Sequence, residues 1–139
     1  MQSAKICLNF LLKKSIQVVN VDKVKNKFES KNYKFLKFDI RNRKNFDHIP
    51  NFNYSCVINL AAVSDIKECD KNPNLAISTN IIGHYNILNF LKNIGYKNLF
   101  LYASSSAIYG SNSKSNILET TQPKPKSLYG YSKLSLIHI

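Results

Sequence analysis

The sequence predicts an α/β fold built on a doubly wound parallel sheet, and three observations carry that expectation. Short β-branched and apolar runs alternate with segments of helical period along the chain. The polar residues Asp22, Asp39, Asn59, Ser104 and Ser105 end or directly follow those runs, where open α/β sheets bind their ligands. Finally, the segment Tyr102-Ala103-Ser104-Ser105-Ser106-Ala107-Ile108-Tyr109-Gly110 is followed, nineteen residues past Gly110, by Tyr129-Gly130-Tyr131-Ser132-Lys133. This combination sets a serine at a strand end and a Tyr-x-x-x-Lys pair at a helix start.

Taken in chain order, Ile6 to Lys14 is short, apolar on one side and basic at its end, as in the last turns of a helix. Ile16 to Asp22 is a β-branched run ending in an acid, and Tyr33 to Asp39 is a second strand that also ends in one. Cys56 to Ala62 is a third, apolar enough for burial on both faces. Pro73 to Asn93 follows as one long helix, with Ile77, Ile81, Ile82, Ile87, Leu88 and Leu91 at helical spacings and Gly95 as its C-cap. Asn98 to Ala103 is a fourth strand. A proline-bearing loop then runs to Ser127, where a helix with Leu128, Leu134 and Leu136 to bury begins. No repeat or low-complexity linker interrupts the series.

At 139 residues and 44% apolar content the chain fits one domain with an ordinary core. It holds no run of about 18 apolar residues that would span a membrane. Without an apolar signal region and cleavage site at the start, a cytoplasmic location is expected. Cys7, Cys56 and Cys69 are odd in number and lack metal-ligand spacing, so they are read as reduced packing residues and no metal is expected. The net charge of +12 is concentrated early: residues 1 to 46 hold twelve Lys/Arg against three acids. Eighteen of the twenty basic residues are lysines that alternate with apolar residues rather than forming a recognisable motif, which argues against a nucleic-acid partner.

The Tyr-x-x-x-Lys spacing occurs twice, and context separates the two cases. Tyr33 and Lys37 lie in an alternating strand, where residues four apart are roughly 13 Å from each other and cannot cooperate. Tyr129 and Lys133 lie on a helix, where i and i+4 are neighbours. An ammonium placed there favours phenolate, making Tyr129 a usable acid/base. Asp22, at a strand end, either caps a turn or accepts hydrogen bonds from an adenosine ribose; in the second role its charge repels a 2′-phosphate, which selects NAD over NADP.

Taken together, Asp39-Ile40-Arg41, Asn59-Leu60-Ala61-Ala62, Thr79-Asn80 with Gly83 and Asn86, Ser104-Ser105-Ser106 with Tyr109-Gly110, Glu119, Pro125, Ser127 and Tyr129-Gly130-Tyr131-Ser132-Lys133 resemble the NAD-dependent epimerase/dehydratase family. These are extended short-chain dehydrogenases with a Rossmann-like domain that act on nucleotide sugars, and the UDP-hexose 4-epimerases are the most similar branch. The resemblance runs from about residue 5 to the end. It implies Ser105, Tyr129 and Lys133 as catalytic residues: Tyr129 the acid/base on a sugar hydroxyl, Lys133 its tuner and holder of the nicotinamide ribose, Ser105 a hydrogen-bond partner of the reacting oxygen. For NAD it implies Asp22 on the adenosine ribose, Asp39 and Ile40 beside the adenine, and Leu60, Ala61, Ala62, Asn80 and Ser104 along the cofactor. The implied reaction oxidises a sugar carbon, lets the ketone turn over and returns hydride to its other face.

Dehydratases of this family place an Asp-Glu pair directly after the residue matching Ser105, and decarboxylases keep the Glu. Here Ser106 and Ala107 stand there, which favours epimerisation. A dehydratase, decarboxylase or reductase of the same family is the alternative, and a non-catalytic dinucleotide fold or a basic binding protein lies outside it. The family opens with a strand and a Gly-x-x-Gly-x-x-Gly turn, whereas this chain has only Gly83, Gly95, Gly110 and Gly130, with Met1-Gln2-Ser3-Ala4 where that motif would end. The expectation is therefore a partial NAD(P)-binding domain over 1–139, lacking its first strand, its C-terminal part and the substrate domain, and inactive by itself. Homodimers through the Pro73–Asn93 and Tyr129 helices are common in the family, so exposed apolar faces are expected there. His84, where the family commonly has Thr, is expected to be a tolerated surface change.

Overall fold

The computed structural model describes residues 2–25, 28–50, 53–111 and 116–139. Met1, with which the Met1–Ala4 stretch opens, and positions 112–115 of the loop before Ser127 lie outside them. The chain divides into two compact units, Met1–Asn51 and Phe52–Ile139.

In the first unit, helix α1 (Gln2–Lys13) leads to strands β1 (Val18–Asp22) and β2 (Tyr33–Lys37), which pair in parallel with Asp22 opposite Lys37. The helix is longer than its periodicity suggests, and its end shows why it stops. Ser15 turns into the left-handed region (φ 57°), its N–H donates to the Leu12 carbonyl and the Ile16 N–H reaches back to Leu11, a Schellman closure. Past β2 a 3-10 turn, Arg43–His48, is capped by Asn42, and its Phe46 is buried with its ring 5.4 Å from that of Phe38.

The second unit holds strands β3 (Cys56–Asn59) and β4 (Leu99–Tyr102), again parallel, with Asn59 opposite Tyr102. Between them come helices α2 (Ile66–Lys71), α3 (Pro73–Ile77) and α4 (Gly83–Asn93). Helix α2 has no counterpart among the expected elements; Asp65 caps it by accepting from the Glu68 N–H at 3.1 Å. The helix expected over Pro73–Asn93 is present with one difference. Ser78–Ile82 forms a π turn that joins α3 to α4, and such wide turns concentrate at functional sites. Gly95 closes α4 at φ 67° as expected, with the Tyr96 N–H bonded to the Leu91 carbonyl. The final helix α5 (Leu128–Ser135) starts where the sequence places it, Ser127 Oγ accepting from the Gly130 N–H at 3.1 Å.

The strand β3 is not buried on both faces. Val57 and Asn59, with Phe100 and Tyr102 beside them, alternate with Ile58, Leu99 and Leu101, which are 38%, 56% and 45% exposed. An apolar run cannot by itself tell how many layers cover a strand. Buried in this unit are Cys69, Ala76, Leu91, Ile108 and Leu136. Among the described residues no helix is long and apolar enough to cross a membrane.

Candidate functional site

At the carboxyl end of β4 the chain leaves the sheet through Ala103 and Ser104, and Ser105 caps a 3-10 turn over Ser106–Tyr109 by accepting from the Ala107 N–H at 3.2 Å. Helix α5 packs on that turn at very short range. A Cβ built on Gly130 would stand 2.5 Å from the Ala107 carbonyl oxygen, so only glycine allows the approach. The loop before α5 is held the same way: the Lys124 N–H donates to the Ile108 carbonyl at 2.9 Å, and Gly110 (φ 66°) faces the Lys124 carbonyl where a Cβ could not fit.

Ser105, Tyr129 and Lys133 are thereby gathered on two packed elements. Lys133 is 4% exposed, and its ammonium donates to the Ala103 carbonyl at 2.9 Å and stands 5.9 Å from the centre of the Tyr129 ring. Burial pushes the lysine below its ordinary range. An ammonium has three N–H donors, and the backbone carbonyl accepts one of them. Tyr129 and Ser105 are half-buried, and Ser104 is exposed.

Asn80, expected along the cofactor, is 2% exposed on the π turn, and its side chain is committed to the protein. Its Oδ1 accepts from the Val63 N–H at 2.8 Å, while Nδ2 donates to the Val63 carbonyl at 3.1 Å and to Ser132 Oγ at 3.0 Å. Ser132 passes the link on, donating to the Tyr129 carbonyl at 2.8 Å. Asn80 thus ties the segment after β3 to the helix that carries Tyr129. Leu60 and Ala62 are half-buried and Ala61 exposed in that segment.

The three remaining expected residues lie in the first unit, at or just past the carboxyl ends of β1 and β2. Asp22 caps a turn, its Oδ1 accepting from the Val24 N–H at 3.1 Å. Asp39 is gripped by Arg41, whose Nε donates at 3.0 and 2.9 Å and Nη2 at 2.6 Å, and this bidentate partner holds the carboxyl below the usual carboxylate range. Ile40 between them is half-buried. Each unit gathers its own share of the expected residues.

His84 corrects the sequence expectation most clearly. It is not a surface residue but 2% exposed. Its Nδ1 lies 3.0 Å from Asn59 Nδ2, and its ring meets Phe100 and Tyr102 edge-on at 5.5 and 5.3 Å. Burial, and to a smaller degree the Lys133 charge, hold it below 6.5. The available signal was its i+4 spacing from Asn80 on one helix, which puts both polar residues on a shared face. Ser132 and Gly130 lie inside a motif whose sequence attaches no role to them.

Parallel strands feeding helices, with the polar side chains collected beyond the strands' carboxyl ends, define a Rossmann-type α/β protein. The family model for GDP-mannose 4,6 dehydratase matches residues 5–139, and the chain belongs to this NAD-dependent epimerase/dehydratase family. A UDP-glucuronate 4-epimerase of Thermodesulfobacterium geofontis is 31% identical over 138 residues, covering 89% of this chain and 42% of that protein. The UDP-glucose 4-epimerase of Thermus thermophilus, solved with NAD, superposes with a TM-score of 0.84 at 26% identity, covering 94% of this chain and 44% of that one. That of Thermotoga maritima, solved with UDP-glucose, gives 0.81 at 28% identity over 93% and 43%. The chain therefore spans less than half the length of these relatives.

Proposed function

We propose that this chain is the cofactor-binding part of a nucleotide-sugar 4-epimerase that uses NAD and acts on a UDP-sugar. The observation that carries it is the buried Lys133 ammonium, anchored on the Ala103 carbonyl beside the Tyr129 ring, on a helix that Gly130 seats against the turn capped by Ser105. Taken unit by unit, the polar groups have the chemistry that binds a ribose diol: in the second unit the remaining ammonium donors of Lys133, and in the first the Asp22 carboxylate. The cofactor supplies the hydride acceptor and donor.

In this proposal the chain's residues handle the proton and the position. The Tyr129 phenolate takes the proton of the sugar hydroxyl and, as the phenol so formed, later returns it, with the Lys133 ammonium as the neighbouring charge that favours the phenolate. The Ser105 hydroxyl, its oxygen oriented by the Ala107 N–H, hydrogen-bonds the same sugar oxygen. Asp39, Ile40, Leu60, Ala61, Ala62 and Ser104 contribute cofactor contacts, whereas Asn80 acts through the segment it holds. Ser106 and Ala107 bring no carboxylate to the turn, which supports epimerisation over elimination. Exposed Ile77, Ile82, Tyr85 and Tyr131 support a homodimer.

The test is the protein expressed from its complete gene and incubated with UDP-glucuronate or UDP-glucose, with products followed by proton NMR. A 4-epimer is expected, and Tyr129→Phe lowers its rate by about 10²–10⁴-fold. A 4-keto-6-deoxy product, or a Tyr129→Phe enzyme as fast as the parent, refutes the assignment.

A further inference from the structure

We propose that His84 is a positioning residue for the Leu60–Ala62 segment, acting as a neutral imidazole whose Nδ1 accepts from the Asn59 amide; as a part of a cofactor site this rests on the function proposed above. The hydrogen-bond geometry leaves one arrangement. The Ala61 N–H donates to Asn59 Oδ1 at 3.0 Å, so the oxygen of that amide faces Ala61 and its NH₂ faces His84. An NH₂ is only a donor, so Nδ1 must accept and the ring proton sits on Nε2. Turning the amide over would set two donors against each other at the Ala61 end.

The ring cannot swing away from this role. Phe100 and Tyr102 of β4 hold it edge-on, and it is 2% exposed. The titratable groups facing it are the Lys133 ammonium from α5, which opposes a second positive charge, and the Tyr102 phenol from β4. Asn59 is also the last residue of β3, and its carbonyl accepts from the Ala103 N–H at 3.2 Å. The bridge from His84 therefore fixes the backbone where the chain leaves β3, immediately before the residues proposed to line the cofactor. Protonation at Nδ1 would place donor against donor, freeing the Asn59 amide and with it the Ala61 N–H.

Nitrogen NMR of the full chain tests this without any ligand. The expected result is an unprotonated Nδ1 on His84 and an Ala61 amide signal that moves with the His84 titration. The His84→Asn variant, whose side-chain oxygen can replace Nδ1, keeps the Ala61 signal near its place, whereas His84→Phe shifts it. NAD titration of the protein expressed from its complete gene then follows, with His84→Phe binding roughly tenfold more weakly, the equivalent of about one hydrogen bond, and His84→Asn binding as the parent does. A proton on Nδ1, or an Ala61 amide indifferent to His84→Phe, overturns the proposal. Failure of the parent to bind NAD overturns the proposed function instead, and is read independently of the Nδ1 and Ala61 signals.

Discussion

Replacing Gly130 with alanine pits helix propensity against packing, and the structure says which wins. The new Cβ would lie 2.5 Å from the Ala107 carbonyl oxygen and 3.1 Å from Pro125 Cβ, where ordinary contact begins at 3.4 Å. The nearest atom is backbone, so no side chain can rotate aside, and α5 must withdraw from the Ser105 turn by about 0.9 Å. Overpacking of this kind costs about 1–3 kcal/mol, while alanine in place of glycine inside a helix returns about 1 kcal/mol. The expected net effect is a loss of about 1 kcal/mol in urea denaturation followed by circular dichroism, with an unchanged slope. Gly95→Ala is the companion measurement: nothing lies within 4 Å of its Cβ, so only the left-handed backbone at φ 67° costs, again about 1 kcal/mol. Under the function proposed above, the same withdrawal separates Tyr129 from Ser105, and a displacement near 1 Å is expected to lower turnover by about 10²-fold. A Gly130→Ala chain that gains about 1 kcal/mol, as propensity alone dictates, refutes the close approach.

Three further outcomes are expected. Ser15→Gly, which relieves a non-glycine residue at φ 57°, stabilises the chain by about 1 kcal/mol in the same denaturation assay. Because His84 titrates below 6.5 when folded, the unfolded chain binds the extra proton first, so stability falls as pH drops below 6.5 and is recovered as pH rises. His84→Asn flattens that part of the pH–stability curve, measured by urea titrations between about pH 4.5 and 7.5. Asn80→Ala strands the Val63 N–H and carbonyl and costs about 3 kcal/mol by denaturation.

Much of this architecture is legible in the residues themselves because its signals are local. Ser127 with the apolar positions after it marks the start of α5, Gly95 marks the end of α4, and the separation of Tyr129 from Lys133 becomes chemistry only once a helix brings them together. What escaped has partners far along the chain. The burial of His84 depends on Asn59 at a strand end 25 positions away, and Asn80 reads as a ligand contact until Val63 and Ser132 are seen to use its amide. Helix α2 is too short, at six residues, to show a helical period, although Asp65 and Glu68 mark its start. The π turn has no compositional signature, since Ser78-Thr79-Asn80-Ile81-Ile82 would suit an ordinary helix equally well.

The bonds that hold Tyr129's helix in place also dictate an order of assembly. Lys133 finds Ala103 across 30 positions and Ser132 finds Asn80 across 52, so neither link exists until α5 has been synthesised and has docked. Contacts this distant in sequence form late and slowly. Until then the Lys133 ammonium stays hydrated, and its dehydration is deferred to the moment when the Ala103 carbonyl is there to receive it. The proposed catalytic constellation is therefore a product of the closing step of folding in this unit, and a nascent chain carrying Ser105 but not yet α5 has neither Tyr129 nor Lys133 to set beside it.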